Sequence, residues 1–311
     1  MSRLRPRLPP PRMLTHLHAE PILPTRVVIL GAQGFVALAL AQRLAEDHVP
    51  IFAISRRDLD LTLPGADEIL AEQLRTTDAL VVTAALTPEK GRDTPTLIKN
   101  LRMVETVAAV LALKPCAHVV YLSSDAVYDS DHAEICESTP AAPQDLYGVM
   151  HRARELALMQ VTQALRIPLC ILRPCAIYGP GDTHNSYGPN RFIRTALAEG
   201  KIMLFGGGEE NRDHVHIRDV VALISRSLAH RSSGLLNLVS GQSVSFAQVA
   251  SEIRQVLDGR VAIESLPRSG PITHRQFDCR QLGQAFPSHT PITRVTALTQ
   301  TIAELKLRQL R

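Results

Sequence analysis

The stretch VVILGAQGFVALALAQRL sets Gly31 and Gly34 in a turn between an apolar run and a helical pattern, with Gln33 and Phe35 flanking the second glycine. Gly31 permits a tight turn. Gly34 lets the backbone approach an anion at a helix N-terminus, where free N–H groups and the helix dipole attract a pyrophosphate. Ala37, at the third position, is small enough for close packing of helix on strand. The next apolar run ends in AISRRDLDL. An NAD-binding turn places a carboxylate there for the adenosine ribose; this chain offers Ser55, Arg56 and Arg57, a set suited to the 2′-phosphate of NADP. Asp60 and the Leu61 backbone amide follow closely enough to meet the adenine. In a third stretch, YLSSDAVY, two serines follow an apolar run, and Tyr147 then opens a helical pattern with His151 four residues on. Residues i and i+4 share a helix face, so phenol and imidazole are neighbours.

These residues need elements to hold them. RVVIL, PIFAIS, DALVVTAA, AHVVYLSS and IPLCILRP are short apolar runs bounded by turn residues and read as buried strands. Between them, FVALALAQRLAE, ADEILAEQLR, TLIKNLRMVETVAAVLAL and YGVMHRARELALMQVTQAL carry helical periodicity. Strands alternating with helices imply right-handed crossovers and an α/β fold, a doubly wound, mostly parallel sheet covered on both faces. After Pro174 the character changes to a Gly/Pro/Asn loop, YGPGDTHNSYGPN, then helix-like RFIRTALAEG and strand-like KIMLF. The expected organisation is a disordered basic, proline-rich extension over 1–25, a dinucleotide-binding domain over 26–174, and a substrate-side lobe over 175–311 interleaved with it.

At 311 residues and 45% hydrophobic the chain can bury a full core. The absence of tryptophan and 4% aromatics disfavour a single-strand nucleic-acid platform. Arg3, Arg5, Arg7 and Arg12 against Glu20 supply three of the four net positive charges, so the remaining chain is close to neutral and no nucleic-acid partner is expected. The head lacks the apolar core of a secretory signal, and Met13 offers an alternative start. Val27 to Gln42 is too short and too broken to span a bilayer, so no membrane partner is expected. Five cysteines without a CxxC pair suit a reduced, cytoplasmic protein, with the thiols as small core residues. His184, His214 and His216 lack carboxylates or cysteines at ligand spacing, so no metal is expected.

The chain resembles the extended short-chain dehydrogenase/reductases, the NAD(P)-dependent epimerase/dehydratase family acting largely on nucleotide sugars. The resemblance rests on GAQGFVA, TAA at 83–85, Asn100, SSDAVY, Tyr147-xxx-His151 followed by Glu155, LRPCAIYGPGD, RDHVHIRDV and FDCRQLGQAFP, from about Arg26 to Glu304. SSDAVY and SRRDLDLT are most similar to the NADP-dependent 4-keto-6-deoxy-sugar reductases. The resemblance implies hydride transfer to or from a sugar carbon, with Tyr147 exchanging the hydroxyl proton and Ser124, rather than Ser123, hydrogen-bonding the reacting oxygen. It adds Ala84, Ala85, Asn100 and Pro174 to the cofactor set, with NADP preferred to NAD. On the substrate side it implies Arg212 at a pyrophosphate, with Asn190, Arg191 and Asp125 as further contacts. Ala126 stands where dehydratases carry a glutamate base, which disfavours dehydration.

The family carries lysine where this chain has His151. A neutral imidazole can bind a ribose hydroxyl but leaves the tyrosine near its ordinary pKa; an imidazolium does both. If the working form is the cation, reduction should slow as pH rises through the histidine pKa. Arg152 and Arg154 are expected to be solvated, turned from the Tyr147 face. Two readings follow. One is an NAD(P)-dependent reductase or epimerase on a nucleotide sugar, a homodimer packed through the Asn100 and Tyr147 helices. The other is a non-catalytic NAD(P)-binding sensor or scaffold of the same fold.

Overall fold

The structure, a computed structural model, describes residues 12–129, 134–268 and 270–309. Its central sheet has seven strands in the order Thr15–His16, Ser232–Leu238, Leu169–Pro174, His118–Leu122, Ala79–Val82, Val27–Leu30 and Ile51–Ile54. Val27–Leu30 pairs in parallel with Ile51–Ile54 on one side and Ala79–Val82 on the other. Ala79–Val82 continues in parallel to His118–Leu122, and that strand to Leu169–Pro174. Every residue of Val27–Leu30 is fully buried, as its unbroken apolar run predicts for a strand covered on both faces. This is a doubly wound, Rossmann-like α/β fold, with α1 (Phe35–Glu46), α2 (Ala66–Gln73), α3 (Thr94–Leu113) and α4 (Leu146–Leu165) as its crossovers.

Chain order reverses at Val27–Leu30, whose two neighbours both follow it in sequence. In open α/β sheets the crevice at such a switch point, beyond the carboxyl ends of the strands, takes the ligand. Because the strands are parallel, the segments after Leu30, Ile54, Val82 and Leu122 emerge at one edge of the sheet. Gly31 to Phe35, Ser55 to Leu61, Ala84, Ala85, Ser124 and Asp125 lie in those segments.

Packing divides the described residues into two units. One lies within Met1–Tyr128, Pro140–Arg173 and Leu223–Leu236, the other within Asp129–Thr139, Pro174–Ala222 and Asn237–Arg311. The second contains α5 (Pro189–Glu199), the first part of α6 (Ile217–Ala229), and α7 (Phe246–Val256), α8 (Arg280–Ala285) and α9 (Arg294–Gln309). Its core gathers Phe192, Ile193, Ile202, Val249, Ile253 and Leu298 around the strand Lys201–Phe205, paired in parallel with Ala262–Leu266.

Two expectations are corrected here. Residues 1–11 lie outside the described residues, but the rest of the supposed disordered extension joins the fold. Thr15–His16 pairs antiparallel with Ser232–Ser233, Met13 bridges Leu235, and Leu14 is buried. The strand Ser232–Leu238 otherwise presents unpaired edge amides, and a two-residue partner satisfies them without any periodic signature. The five thiols are free as expected, and Cys116, Cys170 and Cys175 are buried, but Cys136 is half-buried and Cys279 exposed, since both follow short strands outside the cores. No helix among the described residues is long and apolar enough to cross a membrane. No group of three or more potential metal ligands occurs among them.

Candidate active site

Gly31 holds φ +93°, and its amide and that of Ala32 donate to the Ile54 carbonyl at 2.9 and 3.1 Å. A Cβ at Gly31 would stand 2.7 Å from the Ala84 backbone, so the turn after the first parallel strand and the turn after the third touch only because this residue is glycine. Thr83 Oγ1 donates to the Leu30 carbonyl at 2.7 Å and ties the same turns together. Gly34 caps α1 without a side-chain acceptor and is exposed with Gln33, while Phe35 is half-buried and Ala37 packs at 1% exposure. An open helix N-terminus beside a backbone cradle fits a dinucleotide pyrophosphate.

Beyond the next strand, Ser55 donates through both N–H and Oγ to Asp58 Oδ2, at 2.8 and 2.7 Å. Arg56 pairs with Asp60 at 2.9 Å, and Asp60 also accepts from the Thr62 amide and hydroxyl. Arg57 is exposed; its backbone N–H donates to Ser55 Oγ at 3.2 Å, but among the described residues its guanidinium has no hydrogen-bonding partner, so the two arginines differ in readiness. The Leu61 side chain lies in the core, and its carbonyl accepts from Thr106 Oγ1. Ala84 and Ala85 are half-buried, and Pro174 is buried at its strand end. Asn100 is not free to hold a ligand. Its amide clamps Leu86 from both sides, accepting from the Leu86 N–H at 2.8 Å and donating to the Leu86 carbonyl at 3.0 Å. It shapes the turn on which Ala84 and Ala85 sit.

Ser123 and Ser124 end the strand His118–Leu122, and the structure separates their tasks. Ser123 Oγ donates to Glu155 Oε1 at 2.7 Å. The same carboxylate takes a two-pronged bond from Arg173 at 2.8 and 2.7 Å and another from Arg152 at 3.0 Å. Glu155 and Arg173 are buried at 0% and 1% exposure, and Arg173 stacks 4.8 Å over Tyr128. Burial opposes the Arg173 charge, yet the Glu155 carboxylate holds its pKa above the usual range. Glu155→Ala should therefore destabilise the fold by about 3–5 kcal/mol in urea unfolding, by stranding a buried guanidinium. A loss below 1 kcal/mol contradicts that.

Ser124 Oγ accepts from the Ala126 amide at 3.1 Å and so starts the 3₁₀ turn Asp125–Val127. The first turn of α4 lies against this turn, since a Cβ at Gly148 would overlap the Ala126 carbonyl oxygen. The Asp145 side chain caps α4 through the Gly148 amide at 2.7 Å. This packing brings Ser124 close to the Tyr147 phenol, where its hydroxyl favours the ionised form. Burial first, then the Asp125 carboxylate, push the Tyr147 pKa up; Ser124 and the Arg154 charge oppose the rise. The phenol consequently keeps its proton at neutral pH. It lines a cavity of about 100 Å³ with Leu86, Arg92, Asn100 and Met150.

Of the two forms open to His151, its surroundings favour the neutral one. It is 3% exposed, its Nδ1 lies 2.7 Å from Tyr121 Oη, and its ring meets Tyr147 edge-on at 4.7 Å. Burial, then the Arg154 charge, hold its pKa well below the ordinary value, so the imidazole is neutral. Arg154 is also corrected: it is fully buried rather than solvated. Arg152 is half-buried on Glu155.

In the second unit, Asn190 is 3% exposed and its amide closes on the Gly179 amide, the Gly179 carbonyl and Asp182 at 2.8–3.1 Å. It is a clamp for the YGPGD loop rather than an open substrate contact. Arg212 donates to the Thr273 carbonyl and to Thr273 Oγ1, so it meets a ligand only by releasing that segment. Arg191, near the N-terminus of α5, is exposed, and among the described residues its guanidinium has no hydrogen-bonding partner.

The profile of the NAD dependent epimerase/dehydratase family matches residues 27–238. A Bacillus subtilis (strain 168) protein described as the uncharacterized UDP-glucose epimerase YtcB is 24% identical over 267 residues, covering 76% of this chain and 83% of that one. The N-acetyl-alpha-D-glucosaminyl-diphospho-ditrans,octacis-undecaprenol 4-epimerase of Escherichia coli O157:H7 is 25% identical over 260 residues, covering 78% and 75%. A crystal structure of a GDP-L-fucose synthetase from Naegleria fowleri superposes with TM-score 0.83 at 15% identity, over 96% of this chain and 98% of that one.

Proposed function

The chain belongs to the NAD dependent epimerase/dehydratase family, and we propose that it is an NAD(P)-dependent oxidoreductase or epimerase acting on a nucleotide-linked sugar, reducing a keto-sugar with Tyr147 as the proton donor. The observation that carries this reading is the Ser124–Tyr147 pair, with a phenol that burial and Asp125 keep protonated. A group poised to give a proton suits reduction better than oxidation. The cofactor, when bound, supplies the hydride that reaches the carbonyl carbon. Ser124 holds the carbonyl oxygen by a hydrogen bond, and Tyr147 passes its Oη proton to that oxygen as charge develops there. The phenolate left behind is reprotonated from solvent. Epimerisation uses the same pair in both directions. Ala126 supplies no base for removing water, which supports reduction or epimerisation over dehydration. Arg191 is the guanidinium open to the substrate diphosphate, with Arg212 following once Thr273 is released.

We assign NADP as the preferred cofactor because Ser55, Arg56 and Arg57 stand where a ribose-binding carboxylate would. Arg56 must leave Asp60 to meet a 2′-phosphate, whereas Arg57 is ready. Arg57→Ala should weaken NADPH binding by roughly 1.5–3 kcal/mol, with a smaller loss for Arg56→Ala and none for NADH with either. Calorimetric titration of both cofactors checks this; a wild type that prefers NADH sinks the assignment. A homodimer is proposed through α3 and α4, where Ile98, Leu146 and Val149 are exposed.

A further inference from the structure

The proposed reaction leaves one conspicuous group without a task. Arg154 is 0% exposed, and among the described residues no carboxylate pairs with it. Its guanidinium donates to the Ala84 carbonyl at 2.7 Å, weakly to Asn100 Oδ1 at 3.5 Å, and lies 5.2 Å over the Tyr121 ring. Its Nε has no hydrogen-bond partner. A buried cation without a counter-charge is costly, and packing alone does not account for it.

Its position does. Tyr147, His151 and Arg154 stand at i, i+4 and i+7 on one face of α4. Long helical side chains lean toward the helix N-terminus, so Arg154 reaches back across the turn that holds His151. Tyr121 joins the group from the sheet, with its hydroxyl on His151 and its ring under the guanidinium. We propose, resting on the reading of Tyr147 as proton donor, that Arg154 is a positioning residue whose fixed charge, held by the Ala84 carbonyl beside the Tyr121–His151–Tyr147 stack, stabilises the phenolate that Tyr147 becomes. It supplies the positive charge that the neutral His151 cannot. Asp125, from the turn after His118–Leu122, and Glu89, from the loop before α3, oppose ionisation of Tyr147; Ser124 and Arg154 favour it. Arg92, Asp93 and Asp145 line the same cavity.

The test relocates the charge. In the wild-type background His151→Lys adds a second buried cation beside Arg154 and should destabilise the protein strongly in urea. In Arg154→Met, or in Arg154→Gln, which retains a donor for the Ala84 carbonyl, the same lysine should cost at least about tenfold less in the unfolding constant. In reduction of a 4-keto-6-deoxy nucleotide sugar by NADPH, Arg154→Gln should lower kcat roughly tenfold with little change in KM, because the phenolate forms in that step without its neighbouring charge. Arg154→Lys should keep most of the wild-type kcat, and adding His151→Lys to Arg154→Gln should restore it. Additive stabilities, or a kcat that Arg154→Gln does not lower, overturn the proposal. A wild type inert with that sugar counts against the preceding reading of function and leaves the stability cycle to decide Arg154.

Discussion

Tyr147→Phe should lower turnover of a keto nucleotide sugar roughly 10²–10⁴-fold, the usual contribution of a positioned proton donor. NADPH should bind as before, because the Gly31–Ala84 cradle and the open end of α1 are built from other residues. The pH profile of the wild type sharpens the expectation. Burial lowers the His151 pKa well below its ordinary value, and burial with Asp125 raises that of Tyr147. Neither group then changes charge between about pH 6 and 9, and the rate of reduction should be flat there. This replaces the decline expected of a cationic histidine. Steady-state NADPH consumption across that range checks it. A fall centred near the free-histidine pKa of about 6.5 means that His151 titrates and is not buried as described.

Acid should unfold the protein well before its carboxylates are protonated. His118 and His216 are buried with their pKa lowered to about 4, and His214 to about 3, in each case by burial first and nearby arginines after it. His151 shifts the same way. The sign follows from proton counting. Below about pH 6.5 the unfolded chain binds a proton at each of these positions that the folded chain refuses, so stability falls as pH falls toward the folded values. His118, His214 and His216 can each contribute a loss of roughly 3 kcal/mol by pH 4, a large share of an ordinary domain's stability. Asp219, raised to about 6 by burial, acts in the opposite sense, since its neutral form favours the folded state at low pH. Urea midpoints between about pH 7 and 4.5 should drop steeply. A midpoint constant over that interval contradicts the neutral, buried histidines.

The strands were legible because a parallel sheet buried on both faces writes itself as continuous apolar runs, and VVIL is fully buried as its composition demands. Gly31 was legible for a related reason: a tight turn between a strand and a helix restricts the choice of residue. The edge strand Thr15–His16 was not, since two residues satisfying a neighbour's backbone leave no period. Asn100 and Asn190 each close an amide on a backbone turn, and an asparagine that clamps a turn is the same residue type as one that holds a ligand. Arg154 departs furthest from its sequence expectation, which turns it from the Tyr147 face into solvent; seven residues on from Tyr147, it shares that face and is fully buried. An arginine in a helical pattern reads as solvated unless a carboxylate is at hand to bury it. Here the partners are a backbone carbonyl and an aromatic ring, which no local pattern announces.

The most direct test of the central claim is NADPH oxidation by the purified protein presented with a 4-keto-6-deoxy nucleotide sugar, alongside Tyr147→Phe and Ser124→Ala. Stoichiometric loss of NADPH with reduction of the keto group is expected, nearly abolished in both variants while their NADPH affinity is retained. A wild type that binds NADPH and the nucleotide sugar yet transfers no hydride, or a Tyr147→Phe variant with full activity, contradicts it.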